Sequence, residues 1–407
     1  MSTPVRPYAG AQVLLGITGG IASYKSGWLA RLLTKAGAVV DVVMTPAATE
    51  FMGRVTFEGL TGRPVHVGMF DEGRPLDHIA LARAATIVVV APATADFLAR
   101  AAAGQADDLL TACLLATSSP VLLVPAMNDH MWAHPQTQRN VAHLRELGYL
   151  VLDPDEGMLA AGEGSGPGRM PEPETIFAHV GRVLEGRTPS ALNGKRVLVT
   201  AGPTREAIDP VRFISNHSSG KMGVALAAAA WRRGAAVDLV AGPLGVTMPV
   251  GVAVEPVTTT EMMASAVEKR LPAADVLVMA AAPADFRPSA PASSKIKKTK
   301  APPAIELAPT PDILVATQSA RRAGSVIVGF ALETDDALAS GRKKLESKSL
   351  DLIVVNDATE PGAGFGVDTN RVTLITRDGN DEHLPLMSKA DVADAILDRV
   401  ERLIRGR

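Results

Sequence analysis

The chain has 407 residues, of which 47% are hydrophobic, 21% charged and 4% aromatic, with 36 Gly, 29 Pro and a formal net charge of −2. That balance suits two or three globular domains of about 100–200 residues each and supplies no global basic field for nucleic acid or an anionic membrane. No apolar run reaches the roughly 18 residues of a spanning helix, the N-terminal MSTPVRPYAGAQ lacks the apolar core of a secretory leader, and the single cysteine, Cys113, excludes an intrachain disulfide and a Cys-rich zinc site, so the expected compartment is the cytosol.

In chain order, an apolar strand opens near residue 13, VLLGITGG, and runs through a glycine turn into an amphipathic helix and a second strand, VVDVVMT. Strands are expected again at Ile87–Ala91 and Val121–Val124, short apolar runs of the buried-strand kind. Glu185–Asn193, EGRTPSALN, is polar and broken by Gly and Pro, and is the expected boundary. The opening pattern then returns near residue 196, where RVLVTAGP leads through a longer loop to an alanine-rich helix and the strand AAVDLVAGP. Strands follow at Val276–Ala280, Val326–Phe330 and Leu352–Asn356. Between the first two of these, Pro283–Pro303 reads as a basic loop whose prolines argue against a strand or helix interior. Lys389–Arg405 has helical periodicity and should cover a sheet face. The repeated opening predicts an α/β chain of two tandem Rossmann-like three-layer domains, residues 1–188 and 189–407.

Gly16, Gly19 and Gly20 lie between a strand and a helix, where backbone N–H groups can approach a phosphate, the preferred reading; a merely tight βα turn is the plain alternative. Their spacing departs from the dinucleotide fingerprint G-x-G-x-x-G, which favours a mononucleotide such as a flavin phosphate. Thr45-Pro46-Ala47-Ala48, Leu76-Asp77-His78-Ile79, Ala91–Asp96 and Pro125-Ala126-Met127-Asn128 lie in loops or follow strands, where binding residues concentrate. Taken alone, His78 reads as structural and Asn128 as a turn former. In the second half, Ser218, Ser219, Gly220 and Lys221 precede the alanine-rich helix and combine hydroxyls, N–H groups and an ammonium into an anion site. The plain alternative is a serine N-cap. Lys295, Lys297 and Lys298 form either a solvated face or a polyanion contact, and Lys344 and Lys348 are spaced to share a helix face.

With GITGGIASYK, DHIAL, APATA, PAMN and GPGRM in order, residues 11–185 resemble the flavin-dependent cysteine decarboxylases. AGPTREAIDPVRFISNHSSGKMG, AAPADFRP, KIKK, PDIL and VGFALET resemble the phosphopantothenate–cysteine ligases. The whole chain therefore resembles the bacterial bifunctional phosphopantothenoylcysteine decarboxylase/phosphopantothenate–cysteine ligases of coenzyme A biosynthesis. The resemblance implies an N-terminal flavoprotein domain and a C-terminal nucleotide-binding ligase domain, with FMN and Mg²⁺ as cofactors. Its implied substrates are 4′-phosphopantothenate, L-cysteine and CTP, joined through an acyl-cytidylate; the ligated product is then decarboxylated. It makes His78 the acid/base residue, Asn128 the donor to the substrate carboxylate, and Gly19, Gly20, Thr45 and Thr94 FMN contacts. In the ligase half it assigns Asn216 to conversion of the cytidylate. It gives Met279, Ala280, Ala281, Asp285, Lys295, Pro311, Asp312, Ile313, Leu314, Phe330, Lys344 and Lys348 to the nucleotide. Decarboxylase trimers and ligase dimers in one chain imply a dodecamer. A dehydrogenase with an added domain and a non-catalytic regulator are the competing readings; the complete ligase signature argues against the regulator.

One position departs from the resemblance. In MLAAGEGSGPGRM, Ala161 stands where many members carry a cysteine that protonates the enethiolate intermediate. Either turnover stalls at the oxidised enethiol, or Glu163, Ser165 or a water donates instead.

Overall fold

The computed structural model describes residues 6–69, 76–297, 304–333, 337–357, 362–364, 366–379 and 381–407; Lys298 and Thr334 lie outside the described residues. The chain divides into two compact units, Met1–Arg187 and Thr188–Arg407.

In the first unit, strands β1 (Gln12–Ile17), β2 (Val39–Met44), β3 (Val65–His66), β4 (Ile87–Ala93), β5 (Val121–Pro125) and β6 (Leu150–Val151) form a parallel sheet in the order β3-β2-β1-β4-β5-β6. A hairpin of β7 (Asp155–Met158) and β8 (Ser165–Arg169) stands apart from it. The helices are α1 (Ser23–Lys35), α2 (Arg54–Thr61), α3 (Asp77–Ala84), α4 (Ala95–Ala102), α5 (Leu109–Ala116), α6 (Asp129–Ala133), α7 (Pro135–Glu146) and α8 (Pro173–Glu185). Alternation along β1 sends Val13, Leu15 and Ile17 to a core shared with Leu29, Leu33, Ile176 and Val180. Leu14 faces the opposite core, with Phe97, Leu110 and Leu144. Burial on both faces is why Ile87–Val90 reads as an unbroken apolar run.

The second unit repeats the plan. Its strands are β9 (Arg196–Ala201), β10 (Arg205–Ala207), β11 (Phe213–Ser215), β12 (Ala236–Ala241), β13 (Ala253–Pro256), β14 (Val276–Met279), β15 (Phe286–Pro288), β16 (Leu307–Pro309), β17 (Val326–Glu333), β18 (Leu352–Asp357), β19 (Thr369–Asn370), β20 (Thr373–Thr376), β21 (Glu382–His383) and β22 (Met387–Ser388). The main sheet runs β13-β12-β9-β14-β17-β18-β20-β21, parallel through β18 and antiparallel beyond it. Its first six strands thus follow the same doubly wound order as the first unit. Helices α9 (Lys221–Arg232), α10 (Thr260–Arg270), α11 (Ile313–Ala316), α12 (Ala337–Ser347) and α13 (Lys389–Arg405) flank it. Arg233, whose side chain is fully buried, ties the end of α9 to α13 through Asp394 at 3.0 Å, Asp398 at 2.8 Å and Glu401 at 2.9 Å.

Two local expectations change. The proline-rich stretch does hold a strand, β15, paired antiparallel with β16. Pro288 and Pro309 each end their strand of this two-stranded ribbon, where a missing N–H costs least. Lys348 falls one residue past α12, so it and Lys344 are not both within the helix, although Lys348 N–H still donates to the Lys344 carbonyl at 3.1 Å.

Candidate active sites

In an open α/β sheet, ligands bind beyond the carboxyl ends of the strands, where strand order reverses. The first unit has a cavity of about 810 Å³ there, lined by Thr18 after β1, Thr45 after β2, Pro92 and Thr94 at the end of β4, and Ala126–Asn128 after β5. Gly19 and Gly20 form part of its wall. A Cβ on Gly19 would sit 2.5 Å from the Ala47 Cβ, so only glycine keeps the wall this thin. Helix α1 begins at this wall with no side-chain cap and no acidic residue in its first turn, leaving its positive end available to an anion. The Ser23 hydroxyl, in that first turn, is buried and has no partner among the described residues. Thr45 and Thr94 also cap the short helices that follow them, accepting from Ala48 N–H and Phe97 N–H, each at 3.3 Å.

The hairpin β7–β8 covers part of the same cavity. Asn128 donates its Nδ2 to Glu163 Oε2 at 3.2 Å, and its Oδ1 accepts from His130 N–H at 2.9 Å. Both Asn128 and Glu163 line the cavity; Ala161 and Ser165 are exposed and do not. The hairpin is fixed by Met127 N–H donating to the Gly168 carbonyl at 3.0 Å. Gly168 has φ of 142°, and a Cβ there would lie 2.2 Å from the Met127 oxygen. His78, the second residue of α3, is not among the lining residues, and its Nδ1 is buried without a partner among the described residues. Cys113 packs beneath it, with Sγ donating to the His78 carbonyl at 3.6 Å. Burial and the neighbouring Asp108 and Asp77 push its thiol up to about 12, so it is an inert core residue.

The second unit carries a cavity of about 470 Å³ lined by Arg205, Phe213, Asn216, Ser218, Ser219 and Leu244 among others. Gly220, in the left-handed region with φ of 79°, is the N-cap of α9, and no side chain caps the helix; the serine-cap reading is thereby replaced. Lys221 bonds Asp368 at 2.6 Å and the Gly366 carbonyl at 2.8 Å, and its ammonium holds the Asp368 carboxyl below its usual range. Asn216 Nδ2 donates to the carbonyls of Ala282 and Pro283, both at 2.9 Å. Ala280 and Ala281 follow β14, and Ala281 N–H donates to Thr200 Oγ1 at 3.1 Å. Met279, Ile313 and Leu314 are core residues, so their side chains are committed to packing. Pro311 and Asp285 are exposed, and Phe330 is half-buried in β17. Asp312 caps α11 and pairs with Lys348 at 2.8 Å, joining two of the expected nucleotide residues. Lys295 is exposed, and the next residue is gripped at both ends. Ile296 N–H donates to Asp209 at 3.1 Å and its carbonyl accepts from Arg212 at 3.0 Å. Arg212, with backbone N–H groups, holds the Asp209 carboxyl far below the usual carboxylate range.

A family model described as Flavoprotein matches residues 1–185, and one described as DNA/pantothenate metabolism flavoprotein C-terminal domain matches residues 192–403. The coenzyme A biosynthesis bifunctional protein CoaBC of Mycobacterium tuberculosis is 48% identical, over 97% of this chain and 97% of its own. The chain belongs to the CoaBC family. The CoaBC protein of Bacillus subtilis is 45% identical over 96% of this chain and 97% of its own. A crystal structure of the C-terminal domain of a CoaBC protein matches with 39% identity and a TM-score of 0.46, covering 54% of this chain and all (100%) of that one.

Two further residues at the first cavity, Thr18 and Lys25, were not singled out from the sequence. Thr18 donates to the Pro92 carbonyl at 2.8 Å and accepts from Thr94 N–H at 3.1 Å, stitching β1 to the loop after β4. Lys25, 6% exposed, lines the cavity and bonds the Met170 carbonyl at 2.7 Å and Glu172 at 3.1 Å. The available signal was its spacing: Lys25 and Leu29 share the buried face of α1, an unusual place for a lysine.

Proposed function

We propose that the chain catalyses two consecutive steps of coenzyme A biosynthesis. CTP-dependent ligation joins cysteine to 4′-phosphopantothenate, and FMN-dependent decarboxylation converts 4′-phosphopantothenoylcysteine to 4′-phosphopantetheine. The observation that carries this is 48% identity to a CoaBC protein across 97% of both chains, spanning both units.

In the ligase unit, the phosphopantothenate carboxylate attacks the α-phosphate of CTP and pyrophosphate leaves. The cysteine amine then attacks the acyl-cytidylate carbonyl, CMP leaves, and the amide forms. Lys295, Lys344 and Lys348 offset the charge developing on the phosphates. Ser218, Ser219, Gly220 and Lys221 form the anion-binding entrance to α9. Met279–Ala281, Asp285, Phe330 and Pro311–Leu314 hold the nucleotide, Ile313 and Leu314 through their backbone. Asn216 orients the cytidylate for attack; support for this is its two bonds to the loop that follows β14. Among the described residues no three His, Cys, Asp or Glu side chains converge on a metal site. Magnesium therefore enters this proposal with the nucleotide phosphates.

In the decarboxylase unit, the residues present fit a flavin mononucleotide: a thin glycine wall, an uncapped helix start and the unpartnered Ser23 hydroxyl. Gly19, Gly20, Thr45 and Thr94 would hold it. FMN, when bound, supplies the two-electron oxidation of the cysteine thiol that makes the neighbouring carbon able to release CO₂, and then returns the electrons. Asn128 donates to the carboxylate that is lost. His78 moves the proton at the substrate. Glu163 delivers the proton that the family's cysteine supplies elsewhere; its bond to Asn128 favours it over Ser165.

The enzyme's partners are its small-molecule substrates. Among the described residues no helix is long and apolar enough to cross a membrane. The working assembly is a homo-oligomer, a dodecamer, in the cytoplasm. The test is incubation with CTP, phosphopantothenate and cysteine. Mass spectrometry should find CMP, pyrophosphate and phosphopantetheine, and absence of CMP formation dependent on both acceptors refutes the ligase reading.

A further inference from the structure

Glu206 is a buried carboxylate beside the ligase cavity to which the reaction above gives no task. It sits in β10, 4% exposed, and faces away from Arg205, its neighbour on the cavity wall. Its Oε1 accepts from Thr260 N–H at 2.8 Å and from Thr260 Oγ1 at 2.9 Å. Thr260 is the first residue of α10, so the carboxylate meets the positive end of an eleven-residue helix.

The hydroxyls beyond it have a fixed direction. Thr260 has one hydroxyl proton, and the carboxylate is the nearer acceptor, at 2.9 Å against 3.4 Å for the Ala284 carbonyl. Thr204 Oγ1, 2.9 Å from Thr260 Oγ1, must then be the donor in that contact. Its lone pair accepts from Ala284 N–H at 2.9 Å. The result is a one-way relay: Ala284 N–H to Thr204, Thr204 to Thr260, Thr260 to Glu206. On its other side Ala284 offers its carbonyl to Thr310 Oγ1 at 2.5 Å, and Thr310 N–H donates to the Asp285 carbonyl at 3.0 Å.

The loop so held begins at Ala282, in an isolated bridge with Pro203, and has no regular structure from Pro283 to Asp285; it is the loop on which Asn216 rests, through Ala282 and Pro283. Peptide planarity carries the constraint along it: fixing Ala284 N–H fixes the plane that contains the Pro283 carbonyl. We propose that Glu206, Thr260 and Thr204 are positioning residues for the ligation, a buried relay that sets the loop Ala282–Asp285 and thereby aims Asn216. This rests on the reading of Asn216 as the residue that serves amide formation.

The test uses the full chain with Thr204→Val and Thr260→Val, which keep the β-branched shape and remove one hydroxyl each, and Thr204→Ser, which keeps it. Expected is an amide-forming step about tenfold slower, with pyrophosphate release changed by less than about twofold, so that acyl-cytidylate accumulates. Thr204→Ser should restore the wild-type ratio of the two steps. Deuterium exchange at Ala284 should accelerate in both valine variants. Unchanged exchange at Ala284 overturns the relay. Equal slowing of both steps, unrescued by serine, overturns the positioning role and leaves a stability effect. Asn216→Asp is the control: normal amide formation there overturns the reading of Asn216, while Ala284 exchange still judges the relay.

Discussion

His78 is the second residue of its helix, with Nδ1 buried and unpartnered among the described residues. As the acid/base of the proposed decarboxylation, an imidazole contributes roughly 10²–10⁴-fold in rate. His78→Asn should therefore lose decarboxylation by that order and keep ligation, because the ligase residues belong to the other compact unit. The reaction should stop at phosphopantothenoylcysteine, and parallel loss of both activities in a folded variant would remove His78 from the site. Glu163 makes a second residue-scale case. Glu163→Gln keeps a hydrogen bond to Asn128 within reach and takes away the acid. Under anaerobic conditions we expect accumulation of an enethiol lighter than phosphopantetheine by two hydrogens, with Ser165→Ala behaving as wild type. Complete turnover by Glu163→Gln would hand the proton to a water. At this scale the sequence showed which residue types were present but not their couplings. Asn128 and Glu163 are 35 positions apart, and only the return of the β7–β8 hairpin over β5 joins them. Lys25 was passed over for a similar reason: its partners Met170 and Glu172 lie far along the chain.

The elements were legible where apolar residues follow one period. The expected strands Ile87–Ala91, Val121–Val124 and Leu352–Asn356 each recur in β4, β5 and β18, extended by one or two residues. The helix Lys389–Arg405 matches α13. What stayed hidden were the short ribbons, β7–β8, β10–β11, β15–β16 and β19–β22. Their strands are only two to five residues long, and ladder partners chosen by tertiary contact leave no period to read. The first of these ribbons depends on one glycine. A methyl group at position 168 would meet the Met127 carbonyl at 2.2 Å, in a backbone conformation with φ of 142°. Gly168→Ala should cost about 1–3 kcal/mol in local strain. That corresponds to a melting point lower by roughly 2–12 °C for a unit of this size. It should also free the hairpin from the loop after β5, so flavin absorbance should wash out on gel filtration. Full retention of flavin would show that the hairpin does not hold the cofactor.

For the whole chain, the two doubly wound sheets make a prediction about where it can be cut. Arg187 donates to the Thr86 carbonyl at 2.7 Å, inside the first unit. Three residues on, Ser190 Oγ and Ala191 N–H each donate to Glu401 at 3.0 Å, inside the second. Leu192 is fully buried. The change of allegiance falls between 187 and 190, at the proline-containing stretch the sequence marked. A fragment ending at Arg187 should keep flavin and decarboxylate added phosphopantothenoylcysteine; one starting at Thr188 should ligate. Mixed, they should carry phosphopantothenate through to phosphopantetheine. A ligase fragment starting at Lys195 tests the boundary more sharply. It strips Glu401 of two donors, although Arg233 still pairs with that carboxylate at 2.9 Å, and it deletes a buried leucine. Losing the leucine and the hydrogen bonds should together cost about 3 kcal/mol, a melting point lower by on the order of 10 °C than that of the Thr188 fragment. Equal melting points would mean that residues 188–194 only trail along the second unit, and the boundary would then belong several residues later.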